Sequence, residues 1–343
     1  MSRKKLLRLV GVSSVCVAFL WAALLTPALA QTHEEVIITL MTAQFGGQTY
    51  VTGHAVEQVV KKTKHPWLRV VAVEGMGGTD NALTFQKLPK EKRETRILNV
   101  GDAGYMAAVR GSQPWFKKPI TNLRGVCALG TGEVFFASFD PNIKTIHDLA
   151  GKTVGGPRRG SSSSVRLLRF LEAAGIEDKV DVKWLGFRKA PEALGDRRVD
   201  AMLVVSFGYE VVSGFKPLFS AKADQLYIAG IPGELFPKVR AAGWPLRAVE
   251  VKPRTFGPNQ TTPITVHRML ASSWWTGTEA APEVVYEFCK VLYENVEKFK
   301  DYLSPATCPV KDEMAYLPID SEEEMHPGAL KFYKEMGLKI GAP

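Results

Sequence analysis

Three times along this chain a short strand-like run gives way to a glycine-rich loop and then to helical spacing. Val36 to Leu40 leads into TAQFGGQ and a helix from Thr49 to about Lys62. Leu68 to Val73 leads into EGMGGTDN and a helix through Ala82 to Leu88, with Thr79 or Asp80 as its cap. A third strand enters GGPRRGSSSSVRLLRFLEAA, where a serine caps the helix and Gly175 ends it. Strand, loop and helix in repetition predict an α/β fold. In open sheets of that class such loops lie at the carboxyl ends of the strands, where ligands bind.

The loops at 46–49, 75–81 and 155–164 share one chemistry. Glycines bring backbone N–H groups close to a ligand, and the helix start behind them carries the positive end of the macrodipole. A carboxylate or phosphate fits such a site. Further along, Leu123 to Leu129 and Val134 to Phe139 are strands with no helix directly after them, so the chain is expected to cross there into a second lobe. APEVVYEFCKVLYENVEKF and HPGALKFYKEMG close the sequence as helices.

Residues 1–30 read as a signal peptide, with Arg3, Lys4, Lys5 and Arg8 ahead of an apolar run and an Ala28-x-Ala30 cleavage site. An uncleaved anchor is the alternative. Export to the periplasm with cleavage after Ala30 is the expectation. Loss of four basic and no acidic residues lowers the net charge from +9 to about +5. That mild surplus favours an anionic solute, and without a basic stripe the chain is not read as binding nucleic acid. Cys127, Cys289 and Cys308 remain, and Cys289 with Cys308 is a candidate bridge in an oxidising compartment.

Catalytic and cofactor motifs fail one by one. Gly155 to Gly160 has Walker glycine spacing, but Ser161 stands where the phosphate-binding Lys belongs. GMGGTD lacks the third glycine of a dinucleotide loop, and there is no HExxH, CxxC or G-x-S-x-G. No cofactor, metal or catalytic residue is therefore expected. A triad assembled from distant residues keeps a hydrolase as the least favoured reading.

Together the loops resemble the TAXI family, solute receptors of tripartite ATP-independent periplasmic (TRAP) transporters. The segments that carry the resemblance are TAQFGGQTYVTG with Thr42, Gly46, Gly47, Tyr50 and Gly53; EGMGGTDNAL with Gly77 and Gly78; GDAGYMAA with Asp102 and Tyr105; and GGPRRGS with Gly155, Pro157, Gly160 and Ser161. The resemblance implies a type II periplasmic binding protein fold, two α/β lobes that close over a ligand cleft as a Venus flytrap. It implies a signal peptide at 1–30, lobe 1 from 31–125 and 245–343, and lobe 2 from 126–244. Loops 42–50 and 75–81 would then meet 155–164 and 204–209, with Gln44, Gln48, Ser162, Ser206 and Tyr209 joining the site. The implied ligand is a small organic anion, a carboxylate or dicarboxylate, delivered by a monomer to membrane-embedded TRAP permease subunits. Presentation to a membrane sensor kinase is the competing role.

The sequence departs from the family pattern in ways that bear on the ligand. Ala43 and Gln44 replace glycines, Val100 replaces a common glutamine, and Arg158 and Arg159 replace small residues. Either arginine is a candidate bidentate clamp, since neighbouring side chains diverge and only one readily faces the cleft.

Overall fold

The computed structural model describes residues 34–244 and 246–341, so the expected signal segment lies outside the described residues. From Val36 onward the chain builds two sheets, each flanked by helices. The first has the order β2-β1-β3-β13-β4, formed by Leu68–Val73, Val36–Met41, Arg96–Asn99, Ser273–Gly277 and Leu123–Ala128. β2, β1 and β3 are parallel, whereas β13 is antiparallel to both its neighbours. In the second sheet β11 (Arg247–Val251), β12 (Ile264–Met269), β5 (Gly132–Ser138), β8 (Ala201–Phe207), β6 (Thr153–Gly156) and β7 (Asp181–Trp184) lie side by side. Residues Ala201–Phe207 are buried throughout, which matches an apolar run covered on both faces.

The strand orders fix where a ligand can sit. β1 is followed by β2 on one side and has β3 on the other, so the chain reverses its direction of winding beside β1. The crevice beyond the carboxyl ends of β1 and β3 is therefore a topological switch point. Four helices begin there or face it: α1 (Gln48–Thr63), α2 (Gly78–Lys87), α4 (Asp102–Arg110) and α5 (Ser162–Ala174). The single turn α3 (Lys90–Arg93) lies between the second and third of them.

The chain leaves the first sheet after Ala128 and returns to it at Ser273, and the two crossings run together. Leu129 N donates to Ser272 O at 2.8 Å, and Ser272 N donates to Gly130 O at 3.4 Å. Two adjacent strand-like crossings are the geometry of a hinge. This moves one sequence expectation: β11 and β12, placed in lobe 1 with residues 245–343, pair instead with the second sheet. β5, the partner of β12, is more than a hundred residues earlier, a pairing that local patterning cannot reveal.

On the outer face of the first sheet, α9 (Pro282–Glu294) and α10 (Pro327–Glu335) pack together over a core that includes Phe288, Leu292, Phe332 and Tyr333. Trp275 is fully buried, donates its indole N–H to Val100 O at 2.8 Å, and stacks on Tyr105 with ring centres 3.7 Å apart. The expected Cys289–Cys308 bridge is not formed. Cys289 is buried, with its Sγ 3.6 Å from Val126 O, whereas Cys308 lies half-buried near Leu303 O. Burial pushes the Cys289 thiol up to about 12, so it stays protonated and unreactive. Thiol titration of the unreduced, denatured protein from residue 31 onward should therefore count three thiols.

Candidate functional site

The cavity beyond β1 and β3 has a volume of about 70 Å3, room for a few waters or one small solute. It is lined at the starts of four helices: Gly47, Gln48 and Thr49 at α1, Gly77 and Gly78 at α2, Gly101 at α4, and Ser161, Ser162 and Ser163 at α5. No side chain caps α1, α2 or α4. On α5, Ser161 accepts from Ser164 N at 3.2 Å, the cap anticipated from the serine run. A helix start carries roughly half a positive charge, so several directed at one cavity make a field for an anion.

One charged side chain joins the lining, Arg166, which projects from the second turn of α5. It is 1% exposed and forms an ion pair with Asp102 Oδ1, across the interface from α5 to α4. Its Nη1 donates to Ser163 Oγ at 3.3 Å, and its Nε is buried without a partner. Asp102 is held from several sides: Leu270 N, on the returning crossing, donates to Oδ2 at 2.9 Å, and His267 Nε2 lies 3.7 Å away. Burial alone would raise the Asp102 pKa, but Arg166, His267 and the Leu270 N–H together hold it below the ordinary carboxylate range.

Two asparagines hold the loops in place. Asn81 donates from Nδ2 to Thr42 O at 2.8 Å and Asn99 O at 3.0 Å, and its Oδ1 accepts from Met76 N and Gly77 N, each at 3.1 Å. Asn99 in turn donates to Ala271 O and Ser273 O at 3.1 and 3.0 Å. The ends of β1 and β3, the second glycine loop and the returning crossing are thereby fixed to one another.

The lobes meet across the cavity mouth. Thr79 Oγ1 and Asp80 N both donate to Gly160 O, and Ser213 Oγ donates to Gly46 O at 3.0 Å. Thr79 and Asp80 therefore lie inside α2, whose N-cap is Gly77, and neither caps it. Contact between the lobes depends on missing side chains. A Cβ on Gly78, whose φ is +53°, would lie 2.2 Å from Ser162 N, and one on Gly104 would lie 2.3 Å from Ser162 Oγ.

Of the residues expected at the site, Gln44, Gly47, Gln48, Gly77, Gly78, Ser161 and Ser162 line the cavity. Gly160 stands at the lobe contact. Thr42 is a buttress beneath it: fully buried, it donates to Val73 O at 2.9 Å and packs on Gly53. Tyr50 sets its ring edge-on to Phe45 and His54, outside the lining. Asp102 touches the site through Arg166. The two loop arginines diverge as adjacent side chains do. Arg158 reaches Met76 Sδ at 3.0 Å, whereas exposed Arg159 lies over the Trp184 ring at 5.3 Å.

Ser206 and Tyr209 are corrections. The Ser206 hydroxyl and Tyr209 N donate to Glu133 Oε2 at 2.6 and 3.0 Å, and Arg268 pairs with the other oxygen of that buried carboxylate. β8 runs through Phe207, and alternation along a strand puts Val205 and Phe207 on the cavity side and Ser206 on the opposite side. Arg166, Phe187, Val212, Met269 and Ala271 also line the cavity without having been expected there. For Arg166 a signal existed in the spacing: it lies three residues after Ser163, so both share a helix face.

A model of the NMT1-like family matches residues 40–337. The chain belongs to the NMT1-like family. Among solved structures it is similar to the periplasmic binding protein BugD, with 14% identity, 90% of this chain and all of that one covered, and a TM-score of 0.53. MatC of Rhodopseudomonas palustris, solved with bound malate, is 11% identical over 88% of this chain and 96% of its own, with a TM-score of 0.52. A TctC solute-binding protein from Polaromonas is 13% identical over 90% and 99%, with a TM-score of 0.51. These likenesses establish the two-lobed binding-protein fold expected from the sequence. The NMT1-like match is coarser than the TAXI family whose loops the sequence resembles.

Two outcomes follow for this NMT1-like chain. Gly78→Ala should hold the lobes apart, seen as an increased radius of gyration in small-angle scattering. Burial, and then the Arg166 charge, hold His267 down to about 4, despite the opposing pull of Asp102. The unfolded chain takes up that proton near pH 6.5 and the folded chain does not, so stability should fall as pH drops from about 6.5 to 4. Urea midpoints across that range should reveal a loss of roughly 3 kcal/mol that His267→Asn removes.

Proposed function

We propose that this chain is a periplasmic receptor that encloses a small organic anion between its lobes and delivers it to a membrane-embedded permease. The observation that carries the reading is the convergence of four helix starts and the Arg166 guanidinium on a cavity with no acidic residue among the described residues of its lining. Arg166 lines the cavity, and its guanidinium is the charged donor there for a carboxylate oxygen. MatC, which holds malate, has the same two-lobed fold and supports a carboxylate as the anion.

Among the described residues the cavity lining also carries no histidine or cysteine, so its serine hydroxyls meet no imidazole base. Capture and release, rather than turnover, suit such a site. Among the described residues no helix is long and apolar enough to cross a membrane, so transport would require a separate permease. The finer assignment, a TAXI-type receptor serving a TRAP permease, rests on the loops TAQFGGQTYVTG, EGMGGTDNAL and GGPRRGS.

Thermal-shift screening of organic anions at millimolar concentration tests the reading, because a ligand of the folded state raises the melting temperature by mass action. At least one carboxylate should shift melting. Arg166→Lys, which keeps the charge beside Asp102 but removes the forked guanidinium, should bind it at least tenfold more weakly. If no carboxylate, sulfonate or phosphate shifts melting, the anion-receptor reading fails.

A further inference from the structure

The chemistry of the cavity walls narrows the ligand beyond "anion". We propose that it is a monocarboxylate with a compact apolar tail, its carboxylate on Arg166 and the helix starts and its tail against the second lobe. This rests on the anion-receptor reading above and adds the substrate class.

Charge is the first constraint. Arg166 is the one charged side chain in the lining, and Asp102 already occupies one edge of its guanidinium. One arginine and one aspartate leave no surplus charge, so the remaining positive potential comes from the helix starts. That suits one anionic group held on Arg166 and the helix starts. Neither loop arginine supplies a second cation to the lining, because Arg158 is at Met76 on the rim and Arg159 faces Trp184.

The opposite wall is the second constraint. Val205, Phe207, Val212 and Met269 are all at most 4% exposed and face the cavity, joined by half-buried Phe187. Phe187 is itself backed by Phe215, with ring centres 5.5 Å apart. A second carboxylate on the ligand would lose its water against this wall and gain no cation, with only the neutral amides of Gln44 and Gln48 within the lining. Those amides suit an uncharged group, such as a 2-oxo or hydroxyl oxygen. A branched aliphatic tail gains from the same burial that penalises the charge.

Calorimetric titration of the intact protein with isovalerate and 2-oxoisovalerate, set against succinate and malate, separates the possibilities. The monocarboxylates should bind at least tenfold tighter, a difference of about 1.4 kcal/mol. Dicarboxylates that bind as well or better overturn the proposal and leave the anion-receptor reading intact. Absence of binding by all four overturns the proposal, and the wider anion screen then decides the parent reading. A second arm uses Phe187→Arg, which places a cation on the apolar wall; circular dichroism checks that the variant folds. Its preference should move toward succinate by at least tenfold, and an unchanged ratio would show that the tail does not lie on this wall.

Discussion

The ion pair between Asp102 and Arg166 is the contact on which the arrangement of the lobes depends. It joins the start of one helix on the first sheet to the second turn of a helix on the other, and both side chains are almost wholly buried. Removing two charges from water costs about as much as their attraction returns, so the pair contributes little net stability relative to an apolar contact. Its consequence is positional. Loss of either partner strands the other in a dry interface, at a cost of roughly 3–5 kcal/mol. Asp102 also accepts from Leu270 N, so the latch and the returning crossing share one carboxylate.

Around that pair several hydroxyl and amide donors of one lobe end on backbone carbonyls of the other. Gly160 O accepts from Thr79 and Asp80, and the starts of α2 and α4 approach Ser162 more closely than any side chain would permit. Glycines at Gly78 and Gly104 are thus explained by proximity, and Gly78 also by its left-handed φ. The same approach brings amide-bearing helix starts to the cavity instead of side chains. Selectivity is left to the few side chains that remain, Arg166 on one side and the valines, phenylalanines and methionine on the other.

How much of this was legible in the sequence depends on the range of the interaction. The three glycine loops and the Ser161 cap follow from local chemistry, and their residues line the cavity as the spacing suggests. Attention to Arg158 and Arg159 was drawn by their unusual place in a glycine loop, yet the arginine in the lining is Arg166, hidden in the helical run VRLLRF. Ser206, expected at the site with the loop 204–209, lies inside the strand Ala201–Phe207, and the alternation along it turns that serine away. β11 and β12 join the second sheet through the pairing of β12 with β5, a contact set by topology and invisible to periodicity.

The latch and the proposed site share a guanidinium, which would couple ligand capture to closure. Arg166 and Asp102 sit on opposite lobes, so their pairing exists only when the lobes are together. With the lobes apart, an anion on α5 would meet Arg166 and one helix start; with them together it meets the starts of α1, α2 and α4 as well. A ligand shifts such an equilibrium only by its difference in affinity for the two states, and here that difference comes from the first-lobe helix starts. Because Asp102 already sets the guanidinium in place, the anion does not have to order it, and more of its binding energy is available to favour the closed form.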